Sequence, residues 1–141
     1  MGITTALIST SSFALTSSSG DTAAYRGKVI ELEKLANQMG LSGQEAFNKI
    51  ISQESVVVNF SATWCGPCKR LAPRLKQYAL QQSHVVFLKI DVDLYPSIAK
   101  QYDVRGVPTM LYFDRGQVQG KTVGDDTVKI NTALSRYMSR N

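Results

Sequence analysis

Apolar and polar residues fall into blocks along most of this chain, and the period changes between strand-like and helix-like from one block to the next. Val56–Ser61 is rich in β-branched and aromatic residues at consecutive positions, which predicts a strand buried on both faces. Val85–Val92 has the same character, and Val29–Leu32 is a shorter extended candidate. Gln44–Ile51 places Ala46, Phe47, Ile50 and Ile51 on one helical face and follows Ser42, a suitable N-cap. Leu71, Leu75, Tyr78 and Ala79 mark one stripe of a second helix, predicted to bend near Pro73. Ser97–Gln101 is a short helix candidate. Ile130, Ala133, Leu134, Tyr137 and Met138 give the strongest helical repeat, with Arg136 and Arg140 suited to the negative end of its dipole.

Met110–Phe113 and Gln117–Val123 read as strands around Asp114–Gly116, and so short a link containing Gly closes a hairpin, since a crossover needs many more residues. Strands alternating with helices predict an α/β fold. The expected object is a central mixed sheet of four to five strands, parallel inside with an antiparallel edge, flanked by helices on both faces. Asn37–Gly43 reads as a connection within the domain.

A length of 141 residues accommodates one domain plus a short appendage. Residues 1–24 hold eleven Ser and Thr, no Lys or Arg, and Asp21 as the one acid, so they cannot build a core of their own. The expected division is a disordered Ser/Thr-rich tail or a targeting peptide over 1–27 and the domain over 28–141. Such a tail suits an organellar transit peptide, although Arg is absent until Arg26; a secretory signal is broken by Thr4, Thr5 and Ser9–Ser12, and Ala6 spoils a myristoylation pattern. The expected location is the cytoplasm, or a mitochondrion or plastid if the segment is a transit peptide. No apolar run approaches the roughly 20 residues of a membrane span, so a soluble protein with no membrane association is expected. The net charge of +5 comes from scattered basic residues with no run of four, which argues for a solvated surface and against nucleic acid as partner.

The chemistry concentrates in Trp64-Cys65-Gly66-Pro67-Cys68-Lys69, between the strand ending near Ser61 and the helix carrying Leu71. It contains both cysteines of the chain. At the entrance of a helix, unpaired N–H groups and the positive end of the dipole stabilise a thiolate at Cys65. Only a thiolate attacks a disulfide, so Cys65 is the candidate nucleophile. Cys68, three residues on, has its side chain about 5–6 Å away on the next turn, within reach of a disulfide. Pro67 is tolerated in the first turn and stiffens the link; Gly66 leaves room for a substrate backbone. Half a zinc or iron–sulfur site is the bland alternative, but the chain offers no third Cys and a single distant His, His84, so no metal is expected. A purely structural disulfide would close too short a loop to stabilise much.

With these residues in view, the chain resembles the thioredoxins from about Val29 to Met138. Gly106-Val107-Pro108-Thr109, just before Met110–Phe113, matches the segment where that family carries a cis proline facing the cysteines. The resemblance implies that Pro108 is cis, that the Val107 backbone pairs with a bound substrate strand, and that Trp64 and Gly124 complete the docking surface. It also exposes a departure: the family's buried Asp, six residues before the first cysteine, is Asn59 here. Lys89 matches the lysine usually paired with that acid. An amide cannot take up a proton at physiological pH. Attack by Cys65 is then expected to be normal, with resolution by Cys68 slower or dependent on solvent as base, unless Asn59 only removes a costly buried charge.

The implied function is reduction of disulfides in partner proteins by dithiol–disulfide exchange, as part of cell redox homeostasis. No bound cofactor is implied, since the two thiols are the redox equipment. Electrons would come from a flavoprotein thioredoxin reductase fed by NADPH, or from a ferredoxin-linked enzyme in a plastid, and the chain is expected to act as a monomer. Two rivals share the fold: a non-catalytic binding or assembly module, which has no need of a second thiol, and a disulfide oxidase or isomerase, whose members often have a His between the cysteines. Lys69, Arg70, Arg74 and Arg105, near the expected groove, suggest acidic partners, though a solvated helix face explains the first three equally well.

Overall fold

In the computed structural model, which describes residues 21–139, five strands form one sheet in the order β1-β3-β2-β4-β5. They are β1 (Lys28–Glu31), β2 (Ser55–Ser61), β3 (Val85–Asp91), β4 (Thr109–Asp114) and β5 (Gln117–Val123). β1, β3 and β2 run parallel, and β4 and β5 are antiparallel to their neighbours. The helices are α1 (Leu32–Met39), α2 (Gly43–Gln53), α3 (Gly66–Gln81), α4 (Pro96–Gln101) and α5 (Thr127–Tyr137). The mixed sheet with helices on both faces is the architecture expected from the sequence.

The period of two along each strand sorts the core into two layers. Val56, Val58 and Phe60 of β2 point to the face covered by α1, α2 and α4, where they meet Leu35, Phe47 and Ile98. Val57 points to the opposite face, with Leu71 and Leu75 of α3 and Ile130 and Leu134 of α5. Both layers are buried because parallel strands joined by helical crossovers leave neither face to solvent.

Local signals account for most boundaries. Ser42 caps α2 in a reciprocal box: its hydroxyl accepts the Glu45 N–H, and the Glu45 carboxylate accepts the Ser42 N–H. Asp126 caps α5 by accepting from the N–H groups of Val128 and Lys129. α3 continues through Pro73.

Three details differ from the sequence expectation. Leu32 opens a helix, and Asn37–Met39 belong to that helix, which ends at Gly40 in the left-handed region (φ 68°). The hairpin link between β4 and β5 has two residues, Arg115 and Gly116, both at positive φ, which is the geometry of the tight primed turns that match strand twist. The packed part of the chain also starts before Lys28. Thr22–Tyr25 forms a short 3₁₀ turn; Thr22 is buried and donates to Glu54 Oε2 at 2.6 Å, and Arg26 Nε donates to Glu54 Oε1 at 2.5 Å. Expectations for residues 1–20 and for Arg140 lie outside the described residues.

Candidate active site

β2 delivers the motif. Its last residue, Ser61, is followed by a short turn, and α3 then starts at Gly66 with Cys65 as its N-cap. Cys65 and Cys68 are joined in a disulfide with Cα atoms 5.3 Å apart. The Cys68 N–H donates to Cys65 Sγ at 3.2 Å, so the first sulfur occupies the place a capping oxygen usually takes. Pro67 sits in the first turn, where the missing N–H is no loss.

The surroundings of the two sulfurs are apolar. Both cysteines are buried, in a cluster with Ala62 and against Val92 and Val107. Cys65 Sγ lies 3.6 Å from the Val107 carbonyl oxygen. The Val107–Pro108 peptide bond is cis, and Pro108 is buried. The Gly124 N–H donates to the Pro108 carbonyl oxygen at 2.8 Å, which ties the end of β5 to the proline loop. Thus Cys65, Cys68, Val107, Pro108 and Gly124 form one connected group. Trp64 borders it and is 68% exposed, with its indole N–H held by Asp93 Oδ2 at 2.9 Å. Gly66 is exposed and open: an added Cβ would meet nothing nearer than the Arg70 guanidinium at 4.0 Å.

Asn59 and Lys89 are direct partners across the β2–β3 ladder. Asn59 follows Val57 by one pleat, so it faces the α3 side of the sheet. Its side chain is buried and Oδ1 finds no hydrogen-bond partner among the described residues. Lys89 is half-buried and lines a cavity of about 140 Å³ with Glu31, Ser61, Ala62, Thr63 and Asp91, directly before Trp64. Across β3 from Asn59, Glu31 is the other register neighbour of Lys89. His84 is remote from this site and bonds the Met138 carbonyl through Nε2 at 2.7 Å.

The charge around the site differs from the sequence picture. Arg70 pairs with Asp125 at 3.2 Å, Arg74 donates to the Asp125 carbonyl oxygen at 2.7 Å, and Arg105 pairs with Asp103. Three of the four basic side chains thought to face acidic partners are therefore engaged within the protein. Asp93 and Asp125 escape a sequence reading because their partners lie 29 and 55 residues away and no motif announces them.

A family model described as Thioredoxin matches residues 31–138. The chain belongs to the thioredoxin family. A thioredoxin of Chlamydia trachomatis is 42% identical over 97 residues, covering 69% of this chain and 92% of that protein. Thioredoxin-2 of Pyricularia oryzae is 34% identical over 94 residues, 67% of this chain but 55% of that longer protein. Among solved structures, the long form of thioredoxin f from spinach chloroplast superposes with a TM-score of 0.71 at 29% identity, over 83% of this chain and 92% of that one. As a thioredoxin with its cysteine pair at bonding distance, the chain is a thiol–disulfide oxidoreductase that reduces protein disulfides through Cys65 and Cys68.

Proposed function

We propose that Cys65 is the attacking thiolate and Cys68 the resolving thiol, and that Trp64, Val107, Pro108 and Gly124 form the floor on which the partner's disulfide is presented. The observation that carries the order is the Cys68 N–H aimed at Cys65 Sγ from the helix entrance, an arrangement that stabilises negative charge on the first sulfur and not the second. The Cys65 thiolate attacks one sulfur of the substrate disulfide, forming a mixed disulfide and expelling the other substrate sulfur as a thiolate, which takes a proton from solvent. Cys68 then gives up its proton and attacks Cys65 Sγ. The second substrate sulfur leaves, and Cys65–Cys68 is left oxidised, with two electrons passed to the partner. A separate reductase returns those electrons; a flavoprotein thioredoxin reductase fed by NADPH fits that role. Each chain carries the complete cysteine pair, so a monomer suffices for turnover.

Asn59 stands where a carboxylate would accept the Cys68 proton, and an amide cannot do so. In this reading water takes that proton. Lys89, its ladder neighbour, is then free of the acid it would otherwise pair with.

Insulin reduction driven by dithiothreitol tests the assignment. Cys65→Ser is expected to abolish turnover. Cys68→Ser is expected to stop at the mixed disulfide, visible by mass spectrometry as a covalent adduct through Cys65. An adduct trapped by Cys65→Ser instead would reverse the order of the two thiols.

A further inference from the structure

β5 is one of the two outer strands of the sheet and, among the described residues, is paired on one side only, to β4. An edge strand presents a row of unpaired N–H and C=O groups that an extended chain can join. Lys121, Thr122 and Val123 of β5 form one wall of a groove of about 400 Å³, and the other wall is α5 through Val128, Lys129 and Arg136. The groove is continuous with the redox site, because Val123 pairs with Thr109 and the next residue, Gly124, is bonded to Pro108.

Its charge is one-sided. Lys129 and Arg136 are exposed, lie about two helical turns or roughly 10 Å apart, and neither forms an ion pair among the described residues. No acid lines the groove. The two acids at the head of α5 are committed elsewhere: Asp125 holds Arg70, and Asp126 caps the helix. Lys121 bonds the Asp103 carbonyl oxygen at 3.4 Å, leaving Lys129 and Arg136 as the groove's available cations. At the head of the same helix Val128, which also lines the groove, is 73% exposed, an apolar side chain that the described residues leave uncovered.

The geometry points to a docking site for an acidic, extended segment of the disulfide-bearing partner, which adds as a strand to the free edge of β5 and places its carboxylates on Lys129 and Arg136. This rests on the reductase reading, since it supplies that reaction with a second point of contact beside the cysteines. The charge left uncommitted by the fold thus selects substrates, whereas Arg70 and Arg105, already paired, do not.

The test uses two synthetic peptides with the same internal disulfide, one flanked by Asp and Glu and the other by Asn and Gln. The native chain is expected to reduce the acidic peptide with kcat/KM about fivefold higher at low salt, with the advantage lost at high salt, because exposed ion pairs are individually weak and screened. Lys129→Glu combined with Arg136→Glu changes two exposed positions; it is expected to erase the preference while turnover of the neutral peptide stays unchanged. Equal reduction of both peptides by the native chain, or a preference that survives the double variant, overturns the proposal. If neither peptide is reduced, the reductase reading fails and docking is judged by fluorescence anisotropy with a labelled acidic peptide lacking cysteine. Binding to the native chain and not to the double variant upholds the site; equal or absent binding overturns it. Displacement of that peptide by single-stranded DNA at lower concentration than by unlabelled peptide would mark a general polyanion surface and also overturn it.

Discussion

The backbone N–H of Gly124, the residue after β5, reaches the carbonyl oxygen of Pro108 at 2.8 Å, which ties the end of the strand to the cis-proline loop whose Val107 carbonyl lies 3.6 Å from Cys65 Sγ. Gly124 makes that bond at φ 93°, a conformation that costs a side-chain-bearing residue about 1–2 kcal/mol. No atom of the described residues would obstruct an added methyl group there, so backbone strain is at issue. Gly124→Ala is expected to shift the loop and raise KM for a protein disulfide several-fold while leaving the acidity of Cys65 unchanged. Iodoacetamide alkylation across pH, read beside insulin kinetics, checks both halves. A changed thiol titration would mean that Gly124 acts on the sulfur and not on docking.

Asn59 invites the opposite substitution. A carboxylate at this buried position keeps its proton well above the ordinary range through desolvation, and once ionised it can accept the proton of Cys68. Asn59→Asp is expected to accelerate resolution of the mixed disulfide by about tenfold or more on the alkaline side of that titration and hardly at all below it. Because the folded-state value is raised, stability is intact below the unfolded value and falls as pH rises through the folded one. Single-turnover reduction measured across pH decides; identical profiles for the native chain and Asn59→Asp would show that the position has no part in proton transfer.

Glu54 gives the segment before β1 a structural duty. Its carboxylate is 4% exposed and is held by the Thr22 hydroxyl and the Arg26 guanidinium, which Glu54 pushes above its ordinary value by hydrogen bonding and then by charge. The shift lies on the raised side of an already alkaline group, so this contribution persists throughout the working pH range and disappears only at the alkaline extreme. Arg26→Met removes two N–H donors from a buried carboxylate and is expected to cost about 1–3 kcal/mol, toward the lower figure because Arg26 is itself partly solvated. Glu54→Gln in the same background should recover part of the loss. Urea unfolding of the single and double variants is the measurement, and additive losses would dissolve the pairing.

The sheet and most helices were legible because their signals are local. Val56–Ser61 reads as a buried strand from composition alone, and Ser42 with Glu45 marks a helix start within four residues. α1 was missed although Leu32, Leu35, Ala36 and Met39 have helical spacing: Glu31 makes no side-chain cap, so the start carries no mark, and the strand before it runs in without a break. The redox site was legible in its cysteines, whose chemistry depends on three residues of spacing. Its fixtures were not. Trp64 with Asp93, Arg70 with Asp125 and Thr22 with Glu54 are joined by the topology of the sheet, and a sequence carries no local trace of such pairings.

Tyr112 lies at the centre of the α3–α5 layer, fully buried, with its hydroxyl 2.9 Å from that of Thr122 and its ring 5.7 Å from that of Tyr137. Burial pushes its phenol up to about 12, with the Thr122 hydrogen bond opposing in part. An unfolded chain ionises the same group near pH 10. Below that value both states hold the proton and the position adds no pH dependence. Between about pH 10 and 12 the unfolded state loses the proton first, so stability falls with rising pH, by on the order of 2 kcal/mol over the interval. Tyr112→Phe removes that fall but also removes the bond to Thr122, at about 1 kcal/mol. The variant is therefore expected to be the less stable protein near neutral pH and the more stable one near the alkaline limit. Urea unfolding followed by fluorescence at a series of alkaline pH values reads the crossing; parallel curves would mean that the buried phenol does not hold its proton.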